Sequence, residues 1–136
     1  MQYMRTLSEM TPMKIPAAES QILEALWRKE PLPFDDLVAQ VGPANGWAPG
    51  TVRTLVTRLL RKKAIEGVKT SEGYVYRPLI ARSSYVTSES QGLLDRLFDG
   101  EVTPLVAALA EHRSLTQADL TKLEALIAEL KAQDDA

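Results

Sequence analysis

Two changes of hydrophobic period lie close together in this chain, and they restrict its fold more than any other feature. From Pro49 the apolar residues fall at Val52, Leu55, Val56 and Leu59, one face of a helix. Pro49 suits the first helical position, where its missing N–H costs nothing and its φ is already set. Past Lys63 the spacing shortens. Ile65, Val68, Tyr74 and Tyr76 suit two short strands, with Ser71-Glu72-Gly73 as the turn between them. The face of the helix opposite its apolar stripe carries Thr51, Thr54, Thr57, Arg58 and Arg61, all donors and none acidic. Such a face suits a DNA groove. Arginine reads guanine edges or grips phosphate, and threonine offers a hydroxyl to phosphate and a methyl to thymine. An ordinary amphipathic helix with a solvated basic face has the same pattern, and spacing alone does not separate the two.

Upstream, Pro16 opens a first helix with Ile22, Leu23, Ala25 and Leu26 facing inward, and Trp27 reads as a core or dimer-packing residue. Pro31 and Pro33 end it. Phe34, Leu37, Val38 and Val41 follow the spacing of a short second helix, which Gly42-Pro43 is expected to stop. Ala44 to Ala48 form a loop into the third helix. Three helices followed by a hairpin bearing Lys69 and Arg77 is the order of a winged helix-turn-helix.

Everything after Arg82 reads as helix. One stretch holds Val86, Leu93, Leu94, Leu97 and Phe98, is interrupted by Gly92 and ends near Gly100. Thr103 as N-cap and Pro104 in the first turn begin another, with Leu105, Val106 and Leu109 inward. Thr116 and Asp119 form a capping-box variant ahead of Leu120, Leu123, Leu126, Ile127 and Leu130. Short helices with one apolar face each do not bury those faces alone. Packing on a second copy is the preferred reading, with Leu93, Leu97, Leu105, Leu109, Leu123 and Ile127 at the contact. Folding back on the N-terminal half in a monomer is the other. The expected fold is mostly α: a loose arm over 1–14, a winged helix of three helices plus a hairpin wing over 15–79, and a three-helix dimerisation region over 80–136.

Charge sharpens this division. The net charge of −2 over 136 residues does not suggest a nucleic-acid partner. Residues 1–79, however, hold eleven basic and eight acidic residues, +3, whereas residues 80–136 hold five and ten, −5. Between Asp36 and Glu66 there are five basic residues and no acid, and local field governs contact with phosphate. The absence of cysteine excludes disulfides, zinc fingers and thiol-based sensing. No apolar run is long enough for a membrane span and no leader pattern is present, so a cytoplasmic protein is expected. Enzyme chemistry has little to stand on. Asp35-Asp36 sits at a helix start, where acids suit the dipole, and Asp134-Asp135 ends a frayed tail. There is no glycine-rich phosphate loop or nucleophile motif. His112 is the single histidine and lacks a ligand set. No metal or cofactor is expected. A winged helix used only for protein–protein contact remains as the alternative to DNA binding.

The run Trp47-x-Pro49-x-Thr51-Val52-Arg53-Thr54-Leu55-Val56-Thr57-Arg58-Leu59 resembles the recognition-helix signature of the penicillinase repressor (BlaI/MecI/CopY) family. The likeness extends upstream through Ala18-Glu19 and Leu26-Trp27. Downstream it takes in the wing with Tyr76, the Leu93–Gly100 stretch and Leu105-Val106. The resemblance implies a homodimeric winged-helix repressor that binds an inverted-repeat operator in double-stranded DNA. Half-sites in the family are often TACA/TGTA-like, and the genes controlled serve resistance or metal export. It also implies a membrane sensor-protease as a partner, which cuts such repressors in their dimerisation half. Four features depart from the family pattern. There is no C-terminal cysteine cluster. The cleaved Asn–Phe pair is matched by Ala108-Leu109. Gly50 stands where lysine is frequent, and Lys63 replaces a glycine that closes the recognition helix. On this reading Thr51, Thr54 and Arg58 face the major groove, with Thr57 on the same side. Arg53 holds phosphate or an intraprotein acid. Arg61, Lys62 and Lys63 meet phosphate near the helix end, Lys69 does so from the wing, and Trp47 packs under the helix.

Overall fold

Helix α1 spans Ala17–Arg28 and buries Ile22, Leu23, Ala25 and Leu26 on one side. A two-residue strand, β1 (Leu32–Pro33), leads directly into α2 (Phe34–Asn45), and α3 follows at Pro49–Lys62. Strands β2 (Ile65–Thr70) and β3 (Gly73–Pro78) form the hairpin, and β3 lies between β2 and β1 in an antiparallel sheet. Three further helices follow among the described residues: α4 (Arg82–Leu97), α5 (Thr103–Glu111) and α6 (Gln117–Asp135). This computed structural model describes residues 14–112 and 114–135. Of the expected N-terminal arm, only Lys14 falls among the described residues. The chain divides into two compact units between Ser88 and Glu89, inside α4.

The first unit is a winged helix. The core side chains of α1 and α2 meet Val52, Leu55, Val56 and Leu59 of α3, and Leu32, Ile65 and Tyr76 close the layer from the sheet side. Strand β1 did not show in the sequence, where Pro31 and Pro33 read only as helix breakers. Proline is tolerated on an edge strand because it need not donate to the ladder. Here Leu32 pairs with Tyr76 and Pro33 with Val75.

Helix α2 runs past Gly42-Pro43, the expected stop, and ends at Gly46 in the left-handed region at φ 69°. Pro43 lies in the last turn, so it forfeits a single helical hydrogen bond. The chain is turned by Gly46 instead, and the Trp47 N–H donates to the Gly42 carbonyl at 2.8 Å. A side chain at Gly42 would lie 3.1 Å from the Trp47 carbonyl oxygen, so this close approach depends on glycine.

In α4, Gly92 does not interrupt the helix. The helix ends where Asp99 and Gly100 take positive φ and the Gly100 N–H reaches the Leu94 carbonyl at 2.9 Å. Thr103 is the first residue of α5 and not its N-cap; Val102 occupies the cap position without a side-chain bond. The capping box before α6 does form. The Thr116 N–H donates to Asp119 Oδ2 at 3.1 Å, and the Asp119 N–H donates to Thr116 Oγ1 at 3.0 Å. None of α4, α5 and α6 contains a buried residue.

Candidate nucleic-acid interface

Helix α3 separates its two chemistries cleanly. Val52, Leu55, Val56 and Leu59 are buried, while Thr51, Arg53, Thr54, Thr57, Arg58 and Arg61 are exposed. Its sequence contains no acid, and two basic residues lie in its last turn. Ala48 is extended and Pro49 begins the helix, so its first N–H groups are not competed for by a capping side chain. Gly50 opens onto empty space on this side. The Thr54 hydroxyl donates to the Gly50 carbonyl at 3.1 Å, which fixes its rotamer and leaves its lone pairs outward.

The basic residues of this region do three different things. Arg58 and Arg61 project from the exposed face. Arg53 is held sideways, its guanidinium carbon 4.0 Å from the centre of the Phe34 ring at the start of α2. That cation–π contact ties the two helices of the helix-turn-helix together. The expected phosphate or acidic partner of Arg53 is thus preceded by an aromatic one. Lys62 turns inward. Its ammonium donates to the buried carboxylate of Glu19 at 2.5 Å and to the Lys14 carbonyl at 2.7 Å. Glu19 is only 2% exposed, and burying a carboxylate requires such a cation. Lys62 therefore anchors α3 to α1 and is set apart from the residues expected to reach phosphate.

Lys63 closes α3 in the left-handed region at φ 64°. The Lys63 N–H bonds to the Leu60 carbonyl and the Ala64 N–H to the Leu59 carbonyl, a Schellman-type ending. A non-glycine residue in this conformation costs about 1 kcal/mol. The side chain is exposed beside those of the last turn.

In the wing, register places Lys69 opposite Tyr74 and Gly67 opposite Tyr76. Partners in an antiparallel pair share a face, so the face that carries Ile65 and Tyr76 into the core continues outward as Lys69 and Tyr74. Tyr74 is 56% exposed. A side chain on Gly67 would meet the Tyr74 and Tyr76 rings at 3.4 and 3.3 Å, so glycine leaves both rings room beside the strand. Arg77 pairs with Glu66 across the hairpin at 3.4 Å on the other face. Tyr74 was read in the sequence only as a strand former. Its place opposite Lys69 becomes visible once the hairpin register is known.

The sequence profile of the penicillinase repressors matches residues 15–129. The chain belongs to the penicillinase repressor family. It is 25% identical over 118 residues to the penicillinase repressor of Bacillus licheniformis, an alignment covering 87% of this chain and 92% of the relative. It is 25% identical over 114 residues to the methicillin resistance regulatory protein MecI of Staphylococcus aureus, covering 84% and 93%. Among solved structures, the B. licheniformis BlaI monomer in complex with the blaP half-operator is similar at 26% identity and a TM-score of 0.50. That match covers 54% of this chain and 89% of the other.

In this member of the penicillinase repressor family, the residues expected at a dimer contact all belong to the second unit. Leu93, Leu105 and Leu123 are half-buried, and Leu97, Leu109 and Ile127 are exposed, Leu97 at 59% and Ile127 at 50%. Ala108-Leu109 lies within α5, with Ala108 half-buried and Leu109 exposed. Among the described residues no helix is long and apolar enough to cross a membrane.

Proposed function

We propose that this member of the penicillinase repressor family acts as a symmetric dimer, each protomer laying α3 in the major groove of one half of an inverted-repeat operator. The observation that carries the proposal is the split of α3 into a buried aliphatic back and an exposed Thr/Arg front without an acid. The likeness to BlaI, itself solved on a half-operator, supports it. Arg58 reads a base edge, flanked by Thr51, Thr54 and Thr57. Arg61 and Lys63 meet phosphate at the helix end and Lys69 does so from the wing, while Arg53 and Lys62 hold α3 in place from within the protein. A second copy covers the apolar faces around Leu93, Leu97, Leu105, Leu109, Leu123 and Ile127. Selection from a random duplex pool by the full chain tests this. The expected product is an inverted repeat with half-sites roughly one helical turn apart. Enrichment of isolated half-sites contradicts the dimer, and no enrichment contradicts DNA reading and favours a protein-contact role for the winged helix.

A further inference from the structure

The root of α4 is fastened to α1 at three points, all of them outside the recognition helix. The Trp27 indole N–H donates to the Ile80 carbonyl at 2.9 Å, just before α4 begins. The Trp27 ring packs against Tyr85 in the first turn of α4, centroids 5.5 Å apart and planes tilted by 42°. Arg82 forks onto Glu24, Nε to Oε1 at 3.1 Å and a terminal nitrogen to Oε2 at 3.4 Å. A hydrogen bond, an aromatic pair and a bidentate ion pair thus converge on one short segment. The carbonyl that Trp27 engages precedes the helix, so the bond takes nothing from the helical ladder. Ile80 and Tyr85 also pack on the winged-helix core from outside it.

Helix α4 then continues without a break to Leu97, through Gly92. These contacts hold the first turn of α4 on the winged-helix unit. We infer that Glu24, Trp27, Arg82 and Tyr85 form a positioning clamp that sets how strictly the repressor reads the distance between its two half-sites. The inference rests on the dimeric reading above. The residues of the clamp lie on α1 and α4, away from the Thr/Arg front of α3.

The test uses the full chain and duplexes carrying two copies of its selected half-site. One duplex has the selected spacing, and one has the half-sites moved apart by about half a helical turn, roughly 5 bp. A third carries one half-site alone. Wild type is expected to lose on the order of 10²-fold in affinity on the altered spacing, the avidity forfeited when both sites cannot be engaged together. Arg82→Ala and Trp27→Phe, singly and combined, are expected to cut that loss to about tenfold or less while binding the single half-site like wild type. Arg82→Ala touches only an exposed ion pair and keeps the comparison valid if Trp27→Phe lowers the melting temperature. Variants that bind the single half-site normally and keep the wild-type spacing penalty overturn the clamp. Variants that lose half-site binding in step with spaced-site binding overturn it too, because the contacts then serve the winged helix itself. A wild-type chain indifferent to spacing overturns the clamp and the dimeric reading together.

Discussion

The two units of this repressor carry similar apolar periodicity and use it in opposite ways. In the first, the stripes of α1, α2 and α3 converge, and Ile22, Leu23, Leu26, Leu37, Val52 and Leu59 are fully or almost fully buried. In the second, α5 and α6 hold leucines and an isoleucine at comparable spacing, yet none is buried. Leu97, Val102, Leu126, Ile127 and Leu130 each keep about half of their surface or more in solvent. An apolar stripe therefore specifies that a face must be covered, not that its own chain covers it. Exposed apolar surface on this scale fits the dimer proposed above. In the proposed dimer the second copy supplies the missing layer.

This contrast is best broken at its strongest point. Leu59→Ala removes a fully buried side chain from the winged-helix core and is expected to cost about 2–5 kcal/mol of stability. Denaturant melts should show that loss equally at low and high protein concentration. The paired substitution Leu109→Glu with Ile127→Glu puts charge on the open faces of α5 and α6. It should leave the winged helix folded and lower affinity for the paired operator on the order of 10²-fold, with single half-site binding unchanged. If both sets of variants unfold independently of concentration, the second unit is no interface.

Smaller effects sharpen the comparison within the first unit. Arg58→Ala should cost about 1–3 kcal/mol and relax preference at particular bases, read by repeating the selection. Lys63→Gly relieves the left-handed residue at the end of α3. It should raise stability by about 1 kcal/mol and lower the salt slope of binding by about one unit, so stability and affinity move in opposite directions. Lys69→Ala should reduce the salt slope by about one unit without change in stability or base preference. Lys62 behaves differently from these lysines. With its ammonium on buried Glu19, its loss should appear in the melting curve first.

Much of the fold was legible because local rules and tertiary packing agreed. The period of Val52, Leu55, Val56 and Leu59 predicted both the helix and the face it buries. The shift of period after Lys63 predicted the hairpin, which begins at Ile65 and turns at Ser71-Glu72. Where prediction failed, a long-range contact decided the outcome. The strand at Leu32–Pro33 exists only because β3 lies beside it. The inward turn of Lys62 depends on Glu19, far away in sequence, and Arg53 on Phe34 across the helix-turn-helix. In each case the partner, not the residue, carries the information, and spacing along one helix does not reveal it. Trp27 shows the same limit. Core packing was legible for it, but its bond to Ile80 follows only from the path of the chain beyond the wing.

In the proposed mode of binding, one chain reads half an operator and two chains read the whole. Sedimentation velocity of the full chain, free at micromolar concentration and mixed with its selected duplex, tests it directly. The expected result is a dimer of a 15.0 kDa chain in solution and two chains bound per duplex, with no one-chain complex at intermediate ratios. A monomer in solution that loads the duplex one chain at a time would contradict it.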